Sequence, residues 1–556
     1  MEYKNKLSIC MMVKNEEKYL DKSLKSLKPF SDSFPTEIIV VDTGSEDRTV
    51  EIAKKHTDKV YFRKWNNDFG AMRNKTIEYA SGEWLLILDG DEVFETPQPL
   101  IEFLNSPTSN KYNTGSISIR NITTTKKEEL YQQKGDILRL FRNTPSFKYS
   151  GAIHEQPIFE GPIFFSLAEV AHYGYDSTDS ELMEYKFKRN VDLLEKELEN
   201  EPDNIYTLFQ LSQSYGMYGK YKKSLEFIFK AYQLLQKDRN VAKHYLHIYN
   251  QLARAYYQNN KYKELEKICL EALKIEDSFI DFYYYIGIAQ TVLEKNRNAV
   301  KNFEKYLRLL KQAGVKKDAR DLVLVRGTLG FSENVYLNLA SLHNKLKEST
   351  RALKYLNKIP LDNLGEMGID LLVRIYLDME KYDDLLLEYE KIIKLAAKDK
   401  KLLHVFWNSL ENNGEEARKE IVKLFSKGNC DYCLLNRVRL KLDEDKDSIG
   451  KDLLDEIKGL NFGNLPVFFG DLLYILLFMQ DESIGEILSN VKYSLLQAYI
   501  QYIINKYDEG IKDIALVYLN TMARKTNFEE IRLQKELRKA LLLNKLVMHN
   551  EYKDVF

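Results

Sequence analysis

The hydrophobic periodicity of this sequence changes near residue 180, and that change restricts the chain to a two-part fold. Up to about Tyr175, short apolar runs rich in β-branched residues alternate with amphipathic segments. Beyond about Ser180, Leu, Tyr, Ile and Phe recur every three or four residues, with almost no Pro or Gly. The first pattern is typical of βαβ units and the second of packed helices. The sequence therefore predicts an α/β domain followed by an all-α region.

The length of the chain indicates more than one hydrophobic core, and its balanced charge disfavours some kinds of partner. A chain of 556 residues is too long for a single hydrophobic core, and its 44% hydrophobic and 30% charged residues are typical of a folded globular protein. The 82 Lys and Arg residues nearly balance the 83 Asp and Glu residues, which disfavours a nucleic acid partner. An anionic ligand would therefore have to be held by local groups.

The N-terminal sequence, the lack of a long apolar run and the small number of cysteines together predict a cytoplasmic protein. The N-terminal MEYKNKLSIC lacks the pattern of a signal peptide. The most apolar later run, residues 465–479, carries Pro466 and Asp471 and is shorter than the roughly 20 residues of a transmembrane segment. The four cysteines are too few for a disulfide framework. For the lone pair Cys430 and Cys433 we expect apolar packing rather than a zinc or redox role.

The first part of the chain contains four predicted strands. They span residues 7–13, 37–41, 60–62 and 84–88, and helical stretches follow the first three. This alternation predicts a mainly parallel sheet, whose ligands bind at the carboxyl ends of the strands. Polar and acidic residues gather at that edge, where the strands are followed by Lys14, Asn15, Glu16, Asp42, Asp89, Gly90 and Asp91.

The all-α part has the pattern of tetratricopeptide-like repeats. In residues 201–225, Pro202 opens a helix and Gly219 turns the chain. The pattern recurs around Tyr262, Ala299, Ala352 and Tyr382. Repeats of this kind bury their faces only against neighbours, so we expect a curved solenoid with a concave binding surface. The predicted boundaries are residues 1–176 for the α/β domain, 177–412 for the repeats and 413–556 for a C-terminal helical region.

The strongest chemical signal is the sequence WLLILDGDE at residues 84–92, in which an apolar run ends in an acidic cluster. Carboxylates at alternate positions past a strand can hold one divalent cation such as Mg²⁺ or Mn²⁺. A solvated Asp-Gly turn would have the same local sequence. However, the second predicted strand also ends in an acid, Asp42, and no glycine-rich dinucleotide cradle follows the first. These features favour a metal-assisted diphosphate site over a dehydrogenase.

Four motifs together resemble those of family 2 glycosyltransferases of GT-A fold. They are ICMMVKNEE at residues 9–17, VDTGSEDRT at 41–49, NDFGAMRN at 67–74 and LDGDE at 88–92. The later LFR at 140–142 and GAIHE at 151–155 resemble the subgroup that includes lipopolysaccharide core transferases. The combination with tetratricopeptide-like helices is similar to the bacteriocin S-glycosyltransferases of the sublancin type.

The resemblance implies a role for each motif residue. Asp42 would hydrogen-bond the uracil of a UDP-sugar, while Asp68 and Arg73 would fix the nucleotide or its diphosphate. Asp89 would face the ribose, and Asp91 would bind Mn²⁺ or Mg²⁺. For Asp68 and Arg73 the alternative is a helix cap and a solvated basic residue. The nucleotide-sugar set is completed by Val13, Asn15, Glu16 and Gly90.

Two histidines and one glutamate complete the predicted site. His172 ends an apolar run, where the resemblance implies a further metal ligand, although a buried structural histidine would look the same. His154 and Glu155 could line the acceptor site. An inverting transfer needs a base, for which Glu155 is the candidate, with a structural salt bridge as the alternative. The predicted catalytic residues are therefore Asp91 and Glu155.

These expectations combine into one predicted reaction. An inverting, metal-dependent enzyme would move a hexose from UDP-glucose or UDP-N-acetylglucosamine to a Ser, Thr or Cys side chain of a peptide or protein. The long repeat region favours a peptide acceptor, because solenoids bind extended peptides. The open alternatives are a cell-envelope glycan or lipid-linked saccharide as acceptor, and a repeat scaffold with a vestigial transferase site. The repeats would also allow homo-oligomers to form.

Overall fold

A computed structural model gives the fold of most of the chain. It describes residues 3–122, 134–165, 167–174, 180–237, 245–312, 327–396, 400–414, 417–444, 449–479, 481, 483–484, 487 and 491–507. The chain divides into two compact units, Met1–Ser332 and Glu333–Phe556. The boundary predicted at residue 176 lies outside the described residues, and the predicted domain limits stay predictions.

The α/β domain in the first unit confirms the four predicted strands to within two residues at each end. Its strands are β1 (Asn5–Val13), β2 (Thr36–Asp42), β3 (Val60–Phe62), β4 (Gly82–Asp89), β5 (Glu92–Phe94), β6 (Thr114–Asn121), β7 (Lys134–Arg142), β8 (Lys148–Ser150), β9 (Gln156–Ile158), β10 (Ile163–Phe164) and β11 (Glu169–His172). Its helices are α1 (Leu20–Ser26), α2 (Lys28–Ser33), α3 (Thr49–Lys54), α4 (Phe69–Glu78) and α5 (Gln98–Asn105).

The main sheet is parallel in one half and mixed in the other. Its strand order is β3-β2-β1-β4-β7-β6-β11-β5, with β10 beside β6, and β8 and β9 pair separately. Strands β1 to β4 are parallel, but β7 runs antiparallel to both β4 and β6. The expectation of a mainly parallel sheet holds for most of the described pairings, since β6 also runs parallel to β10 and β11. The exceptions are the two pairings of β7 and the pairing of β5 with β11, all in the second half of the sheet.

The strand register brings the predicted site residues to one edge of the sheet. Val13 at the end of β1 lies opposite Asp42 of β2, and the preceding Met12 lies opposite Asp89 of β4. After Asp89 the chain turns at once into β5, which pairs antiparallel with β11. That pairing places His172 opposite Glu92. The acidic cluster and the histidine therefore meet although about 80 residues separate them in sequence.

The central strands are buried on both faces. Ile9 and Met11 of β1 pack into a cluster that includes Phe30 of α2, whereas Cys10 faces a second cluster with Ile87 of β4. Each such side chain contributes about 1.5–3 kcal/mol when it is fully buried. This alternation on a sheet covered on both sides explains the continuous apolar runs in the sequence. The strand ends therefore form a firm support for polar side chains.

Helices make up the rest of the described chain, as predicted. In the first unit they are α6 (Ser180–Asn200), α7 (Ile205–Met217), α8 (Tyr221–Leu235), α9 (Leu246–Gln258), α10 (Tyr262–Ile275), α11 (Ile280–Val292) and α12 (Asn296–Gln312). Those that follow are α13 (Ser332–Lys345), α14 (Ser349–Leu356), α15 (Gly365–Asp378), α16 (Tyr382–Ala396), α17 (Lys400–Asn413), α18 (Arg418–Phe425), α19 (Asp431–Glu444), α20 (Lys451–Lys458), α21 (Gly470–Phe478) and α22 (Tyr493–Lys506). Helices predicted beyond residue 507 lie outside the described residues.

The helix pairs from α7–α8 to α15–α16 share one turn geometry. Two residues before each second helix stands a residue with positive φ: Gly219, Asn260, Glu294, Lys347 and Glu380. The next amide in each turn bonds the carbonyl five residues earlier, as Lys220 does with Tyr215 at 2.9 Å. This Schellman geometry ends a helix most easily at glycine, but other residues can adopt it at some cost. Only the first of these five turns has glycine at the positive-φ position, so the sequence indicated the other four through the spacing of their helices.

The two cysteines expected to pack in an apolar environment do so, since Cys433 is buried and Cys430 packs against the core of the second unit. They are also joined in a disulfide at the start of α19, which the sequence analysis did not predict. Cys10 and Cys269 are buried free thiols. None of the described helices is long and apolar enough to cross a membrane. The apolar run at residues 465–479 instead contributes helix α21 to the core of the second unit.

Asp471 lies at the start of that apolar helix, where it anchors a buried charge network. Its carboxylate accepts hydrogen bonds from Arg439 Nε at 2.7 Å, Lys506 Nζ at 2.8 Å and Tyr502 Oη at 3.0 Å. Arg439 also donates to Glu411 at 2.7 Å. Burial alone would raise the pKa of Asp471, but the charges of Arg439 and Lys506 outweigh it and hold the pKa below its ordinary value. The network explains how a fully buried carboxylate is tolerated in this helix.

Replacing Asp471 with asparagine is expected to lower the free energy of unfolding by about 1–3 kcal/mol at pH 7, because Arg439 and Lys506 lose their counter-charge. Because the folded pKa is depressed, this contribution is complete above the unfolded pKa of roughly 4 and is lost as the pH falls through the folded pKa. Urea unfolding at pH 7 and at low pH measures both effects. Asp481→Asn, which removes a partly exposed ion pair with Lys458, is the control. Equal losses in the two variants would contradict a special role for the network.

Candidate active site

The loops that follow β1 and β2 are tied to each other. Asn15, at positive φ, accepts a hydrogen bond from the Glu46 amide at 2.9 Å and donates its own amide to Ser45 Oγ at 2.9 Å. The Asp42 carboxylate, only 4% exposed, accepts from the amides of Gly44 at 3.1 Å and Ser45 at 3.2 Å. Asp42 therefore shapes its own loop, and its carboxylate keeps lone pairs that can accept further hydrogen bonds.

Asp89 is held between two arginines. Arg73 Nη2 donates to one carboxylate oxygen at 2.9 Å, and Arg139 Nη2 donates to the other at 2.8 Å. Burial would raise the pKa of Asp89, but the two guanidinium groups hold it well below the usual range. Arg73 also donates Nε to Glu155, and Arg139 bonds Glu92 at 2.6 Å. Asp89 is therefore ionised and oriented at the end of β4.

The sequence predicted Arg73 as a site residue but did not predict Arg139. Arg73 is 8% exposed, so the alternative of a solvated basic residue is wrong. Arg139 was missed, because it lies in a strand whose only sequence signal is ordinary alternation. Arg73 Nη1 and Arg139 Nε are buried and have no hydrogen-bond partner among the described residues. Both side chains thus retain donors for a further anionic group.

Helix α4 carries Arg73 and begins against the loop at residues 151–155. Asp68 caps the helix by accepting from the Ala71 amide at 2.8 Å, so the helix-cap alternative is observed for this residue. The next two amides donate to loop carbonyls, Phe69 to Ala152 at 2.7 Å and Gly70 to Gly151 at 3.2 Å. A Cβ at Gly70 would stand 2.6 Å from that Gly151 oxygen, so only glycine allows the loop to approach. This docking brings Glu155 to Arg73.

Asp91 and His172 form a second polar pair beside Asp89. Asp91 Oδ2 lies 3.4 Å from His172 Nε2, and His172 Nδ1 lies 2.8 Å from Asn121 Oδ1. Because an amide oxygen only accepts, Nδ1 carries a proton and Nε2 faces the carboxylate. Burial lowers the pKa of His172, but hydrogen bonding and charge from Asp91 outweigh it and raise the pKa. A divalent cation could take the place of the Nε2 proton.

The pair has a geometry that suits one hard cation. Neighbouring ligands of an octahedral ion with bonds of about 2.1 Å lie roughly 3 Å apart, close to the observed 3.4 Å. Among the described residues, no group of three or more His, Cys, Asp or Glu side chains is arranged to hold a metal. A cation held by this pair would need further ligands beyond these two side chains, and Mg²⁺ commonly takes several of its ligands from water.

Val13, Glu16 and Gly90 pack together at the ends of β1 and β4. A Cβ on Gly90 would stand 3.0 Å from Glu16 Cγ and 3.2 Å from Val13 Cγ1. Burial, and then the charge of Asp91, raise the pKa of Glu16 to about 8. Glu16 therefore holds its proton more tightly than an exposed glutamate does, and the protonated form reduces repulsion next to Asp91. A bound cation would reverse this preference.

His154 lies in the same loop and rests on the first repeat helices. Its φ is +49°, and its carbonyl accepts from Tyr206 Oη of α7 at 3.0 Å. Burial lowers the pKa of His154, and its Nε2 has no partner in the described structure. The preceding Ile153 packs with Leu194 of α6 and Leu211 of α7 in one apolar cluster. The predicted acceptor loop is therefore supported by the repeat region.

The sheet and its edge define a class of protein. At this edge a strand ends in an Asp-x-Asp pair, a histidine is brought to that pair and two arginines hold the first aspartate, on a sheet of the kind expected for a GT-A fold. Residues 8–155 match the sequence model named Glycosyl transferase family 2. The N-terminal domain is therefore similar to this family, in agreement with the resemblance seen in the four motifs.

Curated relatives extend the comparison into the repeats. The chain is 30% identical over 285 residues to the SPbeta prophage-derived glycosyltransferase SunS of Bacillus subtilis (strain 168), covering 48% of this chain and 62% of SunS. It is 35% identical over 156 residues to a TPR repeat-containing protein of Synechococcus elongatus, covering 27% and 34% of the two chains. The chain thus spans less than two thirds of either relative. The match to a solved structure of Pseudomonas aeruginosa pilF has 18% identity and a TM-score of 0.30, and it covers 42% of this chain and 92% of that one.

Proposed function

We propose that this protein transfers a hexose from a UDP-sugar to a Ser, Thr or Cys side chain of a peptide or protein. The single observation that carries the proposal is the Asp91–His172 pair beside the arginine-bound Asp89 at the strand ends. The family 2 domain and the similarity to a relative named glycosyltransferase SunS support a transferase. Cytoplasmic location and homo-oligomeric assembly stay predictions of the sequence.

For the donor, we assign the edge of the sheet to the nucleotide sugar. Asp42 and Asn15 would hold the base, and Asp89, fixed by its arginines, would face the ribose hydroxyls. Asp91 and His172 would hold Mn²⁺ or Mg²⁺, which when bound would neutralise charge on the leaving diphosphate. The unpaired donors of Arg73 and Arg139 support an anionic ligand at this point. Inversion would follow from direct attack by the acceptor, with Glu155 as its base.

For the acceptor, we favour a peptide over a glycan. The loop that carries His154 and Glu155 rests on α6 and α7, so a peptide bound on these first repeat helices would lie near the candidate site. Helical repeats commonly bind extended peptides. The competing acceptors are a cell-envelope glycan or lipid-linked saccharide, and the competing class is a scaffold with a vestigial site.

Incubating the full chain with UDP-glucose or UDP-N-acetylglucosamine tests the proposal. We expect release of UDP that needs Mn²⁺ or Mg²⁺ and stops with excess chelator. Added peptides that differ only in Ser, Thr, Cys or Ala at one position should then gain a hexose at the first three, as read by mass spectrometry. Transfer only to saccharide acceptors would favour the glycan alternative. Failure to bind UDP or to release it from any donor would favour the scaffold.

A further inference from the structure

Helix α6, the first helix of the repeat region, reaches the metal-binding end of the candidate site. Its Lys186 donates from Nζ to the carbonyl of Gly174 at 3.2 Å. Gly174 in turn lies directly against the Asp91–His172 pair. A Cβ at this glycine would collide with Asp91 Oδ2 and stand 2.8 Å from His172 Nε2. One backbone carbonyl therefore separates the Lys186 ammonium from the pair proposed to hold the cation.

Within the described part of the chain, no carboxylate neutralises Lys186 by direct contact. Among the described residues, none forms an ion pair with Lys186, and the Gly174 carbonyl uses one of its three N–H donors. Its charge is felt at Glu16, where it opposes the effect of Asp91 on the pKa. By contrast Lys188, on the same helix, pairs with Glu184 at 2.7 Å and is exposed. Of these two lysines, Lys186 is half-buried, partly unpaired and directed toward the site.

An ammonium in this position matches the chemistry of a departing nucleoside diphosphate. Such a leaving group carries more negative charge than one divalent cation offsets. A fixed cation in a site partly shielded from water interacts with such charge more strongly than one in bulk solvent. Lys186 belongs to the repeat region and lies outside the residues that match the family 2 model.

We propose that Lys186 is a donor-binding residue that contacts the diphosphate of the nucleotide sugar, next to the cation held by Asp91 and His172. The inference rests on the proposed function and deepens it, because the donor site is then completed by the first helix of the repeats. Truncations that remove α6 would damage donor binding as well as any acceptor binding.

The test compares Lys186→Gln with Lys188→Gln in the full chain, by calorimetry with UDP and with uridine in the presence of Mn²⁺. Loss of one charge-assisted contact should weaken UDP binding by roughly tenfold in Lys186→Gln, with uridine affinity unchanged because uridine has no phosphate. Lys186→Arg should retain most of the affinity, and Lys188→Gln should bind as the wild type does. The difference for Lys186→Gln should shrink at high salt.

Two results would overturn the assignment. If Lys186→Gln bound UDP as tightly as the wild type, Lys186 would not contact the diphosphate. If it lost UDP and uridine affinity equally, its role would be to maintain the packing of α6. In both cases the wild type would still bind UDP, and the proposed function would stand. A wild type that bound neither compound would instead remove the proposed function together with this inference.

Discussion

Replacing Asp91 with asparagine is expected to lower metal-dependent release of UDP from a UDP-sugar by on the order of 10²–10³-fold. Asparagine keeps the shape of the side chain but removes the negative charge that faces His172 Nε2 across 3.4 Å. A bound cation stabilises the leaving group by several kcal/mol, and each 1.4 kcal/mol corresponds to a factor of ten in rate. The fold should persist, because the Asp91 carbonyl still accepts the Tyr173 amide. Initial rates at several Mn²⁺ concentrations measure the loss.

The controls test whether Asp91 acts by binding a metal or only through its negative charge. Asp58→Asn, which removes an exposed carboxylate in the same domain, should leave the rate unchanged. His172→Asn should raise the Mn²⁺ concentration needed for half-maximal rate, since the imidazole of the proposed ligand pair is replaced by a weaker ligand. A wild type that works at full rate in excess chelator would show that Asp91 does not act through a metal. An Asp91→Asn variant with normal rates would show that its carboxylate is not needed.

Much of this site was predictable because its signals are local in the sequence. The apolar runs of β1, β2 and β4 end abruptly in polar residues, and parallel pairing then requires their ends to meet, as Val13 and Asp42 do. The second helices of the repeats were predictable from spacing alone. Helix α10 begins at the expected Tyr262, for example, although its turn contains Asn260 in place of glycine.

The parts that were not predictable depend on partners far apart in the chain. Arg139 reaches Asp89 across 50 positions, and nothing in the sequence around it separates it from a surface residue of a strand. Lys186 belongs to a helix whose periodicity indicates only packing. The raised pKa of Glu16 comes from burial and from Asp91, and both are properties of the folded chain. Long-range pairing of this kind cannot be read from local periodicity.

Glu155 has two possible roles, as a base for the acceptor and as a salt-bridge partner of Arg73. The sequence left it as a base for the acceptor or as one half of a salt bridge, and the structure contains the salt bridge with Arg73. That contact uses Nε of Arg73 and one carboxylate oxygen, Oε1. The second oxygen, Oε2, would be the one to take a proton from an acceptor. Support of Arg73 and base catalysis are therefore separable by substitution.

Glu155→Gln is expected to slow transfer to a peptide by on the order of 10²–10⁴-fold while leaving UDP affinity nearly unchanged. Glutamine is close in shape, and its amide oxygen can still accept from Arg73, so Asp89 keeps its orientation. What glutamine cannot do is take the acceptor's proton. The measurements are calorimetry with UDP and single-turnover transfer to a Ser-containing peptide across a range of pH.

The pH dependence distinguishes a base from a positioning residue. If Glu155 is the base, the transfer rate of the wild type should rise as the pH increases through the acidic range, and the variant should lack that rise. Arg73→Gln provides the comparison, because it breaks the same ion pair from the other side and leaves Asp89 and Glu155 without their shared partner. It should lose UDP affinity together with rate. If Glu155→Gln behaved like Arg73→Gln, with affinity and transfer falling in parallel, Glu155 would only position Arg73, and the base would have to be sought among the other groups around the acceptor loop.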